Sequence, residues 1–238
     1  MTGASSGLGA RFARVLAAAG ADVALVARRP DRLAEVAAEI DGSMVYVGDV
    51  SRPDDVEAMA GAVLDEFGRI DVLVNNAGIA DLARAEDEPL QQFSDVVQVN
   101  LVAAYHACQV VGRHMLERGS GSIINVASVM GFVSAGSFPQ PGYVASKGGL
   151  VSVTKELAAQ WSRRGVRVNA LCPGWFRSEM TEELFADDQG QAWLRRKTVM
   201  GRPGREHELD GALIWLAGDA SSYVTGSAIV VDGGFLAM

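Results

Sequence analysis

Two side chains near the middle of the chain have the types and spacing for proton chemistry. Tyr143 and Lys147 stand four residues apart, and on a helix that spacing puts both on one face within a turn. A phenol of pKa about 10 is a poor base at neutral pH. A neighbouring ammonium favours the phenolate, and lowering a phenol by about 3 units takes roughly 4 kcal/mol of differential stabilisation. By itself the spacing also describes an ordinary pair on a helix surface, so its meaning depends on the company it keeps. The opening stretch, MTGASSGLGA, carries Gly3, Gly7 and Gly9. A glycine turn between a strand and a helix lets backbone N–H groups approach a phosphate at the helix N-terminus. Alone, it is a weak signal. The histidines His106, His114 and His207 lack metal-ligand spacing, and Cys108 and Cys172 lie far apart. Both thiols read as reduced and buried, as in a cytoplasmic protein.

These groups need elements to hold them. Short apolar runs over 22–28, 44–50, 71–78, 122–128, 166–173 and 227–234 read as parallel strands buried on both faces. Helical patterns alternate with them. Residues 9–20 place Phe12, Val15, Leu16 and Ala19 on one face and stop at Gly20. Residues 51–68 begin with Ser51 as a cap, carry acids in the first turn and stop at Gly68. The stretch from Pro89 to about Arg118 is long and amphipathic. With 238 residues, 49% of them hydrophobic, the alternation predicts one α/β domain: a doubly wound, Rossmann-type parallel sheet with helices on both faces. No run approaches the roughly 20 apolar residues of a membrane helix. The net charge of −8 argues against nucleic acid, which selects a basic face.

Taken together and in order, TGASSGLG (2–9), NNAG (75–78), YVASK (143–147), PGW (173–175) and DGG (232–234) resemble the short-chain dehydrogenase/reductase family over nearly the whole chain. In that family a central strand ends where TG begins, and this sequence lacks it. A buried strand of about six residues contributes on the order of 10 kcal/mol, comparable to the 5–15 kcal/mol stability of a whole domain. The expectation is therefore a working protein that starts upstream, or else an imperfect sheet.

The resemblance implies hydride transfer between a nicotinamide dinucleotide and a secondary alcohol or ketone. It assigns Tyr143 as acid/base, Lys147 as the group that lowers its pKa and binds ribose, Ser128 as orienter of the substrate oxygen, and Asn100 as support for a proton relay. Ser128 and Tyr143 are fifteen positions apart, more than is usual in the family, and Ser134 or Ser137 in the intervening loop are alternatives to Ser128. Cofactor contacts fall by resemblance on Gly3, Ser5, Ser6, Gly7, Leu8 and Gly9, on Asp49 and Val50, on Asn76, Ala77 and Gly78, on Tyr143 and Lys147, and on Pro173, Gly174, Phe176 and Ser178. Ala27 stands where NAD-type members carry Asp, and Arg28 and Arg29 follow. A carboxylate there would repel a 2′-phosphate, whereas Ala27 makes room and Arg28 can bind it bidentately. NADP(H) is favoured, with NAD(H) the alternative.

Residues 179–200 would form a lid over the substrate, with Leu184, Phe185, Trp193 and Leu194 as an apolar underside and Arg195, Arg196 and Lys197 as a basic cluster. Trp175 and Phe176 either shape the nicotinamide wall or pack in the core. The motifs fit gluconate-dehydrogenase-like and ketoacyl-thioester-reductase-like members alike. A homotetramer through helices near 89–116 and 143–162 is implied by the family alone. A dinucleotide-sensing protein without turnover is the alternative in another class.

Overall fold

The apolar runs form six strands: β1 (Ala24–Ala27), β2 (Met44–Val47), β3 (Val72–Asn75), β4 (Gly121–Val126), β5 (Val166–Pro173) and β6 (Ala228–Val231). The computed structural model describes residues 1–134, 136, 138–186 and 188–238. All strand pairs are parallel, in two pieces ordered β1-β2 and β3-β4-β5-β6. Nine helices lie around them among the described residues: α1 (Gly7–Ala18), α2 (Pro30–Ala37), α3 (Pro53–Phe67), α4 (Leu90–Val97), α5 (Ala103–Arg118), α6 (Pro141–Trp161), α7 (Glu182–Ala186), α8 (Asp188–Lys197) and α9 (Asp210–Ala217).

Successive strand residues point to opposite faces, and the core divides accordingly. Val74, Ile124 and Leu171 pack with Phe12 of α1 and with Leu213 and Leu216 of α9. Leu73, Ile123 and Val168 pack instead with Met59 of α3, Val111 and Met115 of α5 and Leu157 of α6. This is the doubly wound arrangement, and it explains why the central runs are apolar at nearly every position. Four buried polar side chains, Asn75, Ser122, Asn125 and Asn169, interrupt them; Asn75 Nδ2 donates to Asn125 Oδ1 at 2.9 Å and to Cys108 Sγ at 3.2 Å. Both cysteines are free and buried.

The gap between β1 and β3 is where the family's central strand would lie. Residues 1–4 occupy its upper end without forming a strand. Thr2 bridges Val26 in parallel. Thr2 N donates to Val74 O at 3.1 Å, Val26 N to Met1 O at 3.0 Å, and Ala4 N to Val26 O at 3.1 Å. Beneath them a cavity of about 460 Å3 is bordered by Ala24, Met59, Val63, Val72 and Val111.

Two helices differ at their ends from the sequence pattern: α1 spans Gly7–Ala18 rather than 9–20, and α3 keeps its stop but not its cap. Gly68 ends α3 in the left-handed region at φ 73°. The helix starts later than expected, however: Arg52 holds the cap position and Pro53 the first turn. Proline's fixed φ suits a first helical residue, and the Ser51 hydroxyl donates to Asp49 Oδ1 at 2.8 Å instead. Between α4 and α5 the chain widens into a π-helical turn, Gln98–Val102, a feature that often marks a functional position. Among the described residues, no helix is long and apolar enough to cross a membrane, and no group of His, Cys, Asp and Glu is arranged to hold a metal.

Candidate active site

The C-terminal ends of parallel strands open into a crevice in folds of this kind. Here a groove of about 650 Å3 runs across them. Every residue singled out in the sequence for cofactor contact lines it, from Gly3 to Ser178, together with Ser128. Asn100 is the exception among the predicted site residues; it is 1% exposed, behind the groove wall.

The glycine loop is built for close approach. Gly3 and Gly7 have φ of 66° and 51°, open to glycine and costly for other residues. A Cβ on Gly3 would lie 2.8 Å from Ala77 Cα, and one on Gly9 would collide with the Gly3 carbonyl oxygen. The loop is tied to the turn after β3. Asn76 N and Ala77 N donate to Thr2 Oγ1 at 3.0 and 3.1 Å, while Asn76 Nδ2 donates to Thr2 O at 3.2 Å and Gly3 O at 3.3 Å.

At the β1 end the two arginines behave differently. Arg28 extends its Nη1 to 3.8 Å from Asp49 Oδ2, with its side chain 67% exposed. Burial works against the charged Asp49 carboxylate, but hydrogen bonds from Ser51 and the nearby Arg28 and Arg52 charges hold its pKa below the ordinary value. Arg29 turns inward. Its Nη2 donates to Ser6 Oγ at 2.6 Å and to Ser5 Oγ at 3.2 Å, and it pairs with Glu179 at 3.2 Å. Sequence reading missed Glu179. An acid beside Ser178 has no periodicity to betray a partner about 150 positions away.

At the other end of the groove stand Ser128, Tyr143 and Lys147. Ser128 follows β4 in extended backbone, and its Oγ accepts from Met130 N at 3.1 Å. Tyr143 sits in the first turn of α6, and one turn on Lys147 is 4% exposed. Lys147 Nζ donates to Val126 O at 2.8 Å and lies 5.5 Å from the centroid of the Tyr143 ring. Burial lowers the Lys147 pKa to about 8. Burial also raises the Tyr143 phenol, against a hydrogen bond with Ser128 that lowers it. In the chain by itself the phenol therefore lies above its ordinary value. The ammonium is committed to a backbone carbonyl, and its own charge is disfavoured by burial.

Asn100, on the π-helical turn, does positioning work. Its Nδ2 donates to Ile79 O at 2.9 Å and to Ser146 Oγ at 3.1 Å, and its Oδ1 accepts from Ile79 N at 2.8 Å. Ser146 Oγ in turn donates to Tyr143 O at 2.8 Å. One amide therefore clamps the segment after NNAG to the turn that carries Tyr143.

A second pocket, of about 540 Å3, shares Ser128, Tyr143 and Gly174 with the groove. Its wall is aromatic. Trp193 meets Phe138 and Trp175 edge to face with centroids 5.1 and 5.2 Å apart, and Phe235 closes the cluster 6.0 Å from Trp175. Trp175 thus lines this pocket rather than the groove, whereas Phe176 lines the groove and packs in the core. Of the expected lid underside, Leu184 and Trp193 reach the pocket; Leu194 is wholly buried, and Phe185 stacks near Arg177. Of the basic cluster, only Arg196 lines it. Ser134 accepts from Gly136 N at 3.2 Å and lines neither cavity. Ser137 lies outside the described residues.

Comparison with known proteins agrees with this geometry. A family model described as enoyl-(acyl carrier protein) reductase matches residues 3–236. Gluconate 5-dehydrogenase of Gluconobacter oxydans (strain 621H) is 39% identical over 98% of this chain and 92% of its own. D-threitol dehydrogenase of Mycolicibacterium smegmatis is also 39% identical, over 99% of this chain and 91% of its own. The crystal structure of a gluconate 5-dehydrogenase from Burkholderia cenocepacia J2315, in complex with NADP and tartrate, superposes with a TM-score of 0.95 at 35% identity, covering 100% of this chain and 94% of that one. The chain belongs to the short-chain dehydrogenase/reductase family and is an enzyme of that family.

Proposed function

We propose that this protein is an oxidoreductase that moves a hydride between NADP(H) and a secondary alcohol or ketone, with Tyr143 as the acid/base. One observation carries the reading. The long groove and the aromatic pocket meet at a shared wall containing Ser128 and Tyr143, so two bound molecules would meet beside a phenol and a hydroxyl. The groove fits a dinucleotide. Its glycine cradle leaves no room for a Cβ at Gly3 or Gly9, and Arg28 and Arg29 follow Ala27 at the end of β1.

When bound, the nicotinamide supplies the hydride chemistry; the chain supplies geometry and protons. Ser128 Oγ and Tyr143 Oη hold the substrate oxygen between them. Tyr143 gives that oxygen its proton in reduction and takes it in oxidation. Lys147, anchored by Val126 O, holds positive charge within a turn of the phenol. A positive charge arriving in this buried place would favour the phenolate. Asn100 and Ser146 fix the turn on which Tyr143 stands.

The second pocket sets the substrate class. Its aromatic wall suits the C–H face of a compact substrate, Gln140 and Thr181 offer hydrogen bonds, and Arg196 is its charged residue. Polyols and sugar acids of the kind named for the relatives meet that description.

The test is Tyr143→Phe assayed with gluconate and D-threitol and with NADP+ and NAD+. Turnover falls by more than about 10³-fold, with cofactor affinity retained. Full activity in the variant would remove Tyr143 from the mechanism.

A further inference from the structure

Arg29, just after β1, already holds an anion from its own chain. Its Nη2 donates to Glu179 Oε2 at 3.2 Å and its Nη1 to Oε1 at 3.5 Å. Ser6 Oγ donates to the same Oε2 at 2.9 Å, while Arg29 Nη2 also donates to Ser6 at 2.6 Å. An arginine fork with a serine hydroxyl beside it is the donor set that receives a phosphate monoester. These groups line the end of the groove where Ala27 leaves space.

We infer that Glu179 is a specificity-determining residue that occupies the 2′-phosphate subsite, so that NADP(H) must displace it and NAD(H) need not. The inference rests on reading the groove as a nicotinamide dinucleotide site. A carboxylate and a phosphate dianion cannot share one guanidinium without like-charge repulsion. A free 2′-hydroxyl meets no such conflict, because it can donate to the carboxylate in place. Glu179 also opens the turn Glu179–Thr181, where the lid begins. Its contact with Ser6 therefore ties the phosphate loop to the lid, and a 2′-phosphate unties it.

The experiment is fluorescence titration of the full chain with NADPH and NADH at one low ionic strength, for wild type, Glu179→Gln and Arg29→Met. Glu179→Gln is expected to tighten NADPH by about fivefold, equivalent to about 1 kcal/mol, and to change NADH by less than about twofold. Arg29→Met is expected to weaken NADPH selectively. If Arg29→Met weakens NADPH but Glu179→Gln leaves the NADPH/NADH ratio unchanged, the Glu179 inference falls and the cofactor reading stands. If Arg29→Met leaves NADPH binding untouched, Arg29 does not read the phosphate and the Glu179 inference falls, while the cofactor reading stands on Arg28. Should Glu179→Gln fold poorly by circular dichroism, Glu179→Ala gives the same comparison at this side chain, which is 60% exposed.

Discussion

Substituting Gly9 by Ala tests whether the groove is shaped by contact between helix and loop. A Cβ there would collide with the Gly3 carbonyl oxygen and lie 2.5 Å from Asn76 Nδ2. Neither neighbour yields easily. Gly3 is backbone at φ 66°, and Asn76 Nδ2 is held by Thr2 O and Gly3 O. Overpacking of this kind costs about 1–3 kcal/mol, and each strained or broken amide hydrogen bond adds about 1 kcal/mol. A loss of about 3 kcal/mol is expected in urea denaturation. NADPH affinity, measured on the folded fraction, should fall more than about tenfold, because opening the loop moves the N–H groups that would face the phosphates. Gly165→Ala is the control. Its Cβ would collide with the Gly119 carbonyl oxygen at φ 82°, in a turn that does not line the groove. It should lose comparable stability yet bind NADPH within about twofold of wild type. The reasoning is refuted if Gly9→Ala binds normally, or if Gly165→Ala loses binding to the same degree.

Three further outcomes can be checked. Asn100→Ala strips Ile79 N, Ile79 O and Ser146 of their shared partner; stability should fall about 1–3 kcal/mol, with faster amide exchange at Ile79 and turnover reduced more than cofactor affinity. Trp193→Ala removes two edge-to-face contacts from the second pocket; KM for the alcohol should rise while NADPH affinity stays constant, since Trp193 does not line the groove. Burial raises the Cys108 thiol from 9.0 to about 12, so its contribution to stability is complete below pH 9 and lost as pH climbs toward 12. Cys172 behaves alike. Denaturation at pH 9, 10 and 11 should show a loss that is shallower in Cys108→Ala, by up to about 1.4 kcal/mol per pH unit.

The strands were legible because a parallel sheet covered on both faces needs apolar residues at almost every position. The groove was legible because its parts sit at strand ends in motifs a few residues long: TGASSGLG, NNAG, YVASK. What could not be read shares a different character. The link from Arg29 to Glu179 joins residues with no common element, and only the folded lid brings them together. The pocket wall takes Phe138, Trp175 and Trp193 from three separate segments, with Phe235 packed against the two tryptophans from a fourth. Asn100 could be matched to a motif, but its hold on Ile79 depends on the π-helical widening, which no hydrophobic period announces. The shift of the α3 cap from Ser51 to Arg52 is a plain competition: Pro53 claims the first turn, and Asp49 claims the Ser51 hydroxyl.

Among the described residues, the backbone hydrogen bonds that link β1 to β3 run through residues 1–4, while Val26 of β1 packs in one core cluster with Leu73 of β3 and Met59 of α3. Strands joined by so few hydrogen bonds need not open together. The β1-β2 pair should form a unit that exchanges its amide protons at lower free energy than β4 and β5, which pair along six registered positions. Arg28, Arg29 and Asp49 follow the strands of the small unit, while Ser128 and Pro173 belong to the large one. A dinucleotide lying in the groove would span both. Its binding should slow exchange in β1 and β2 more than in β4.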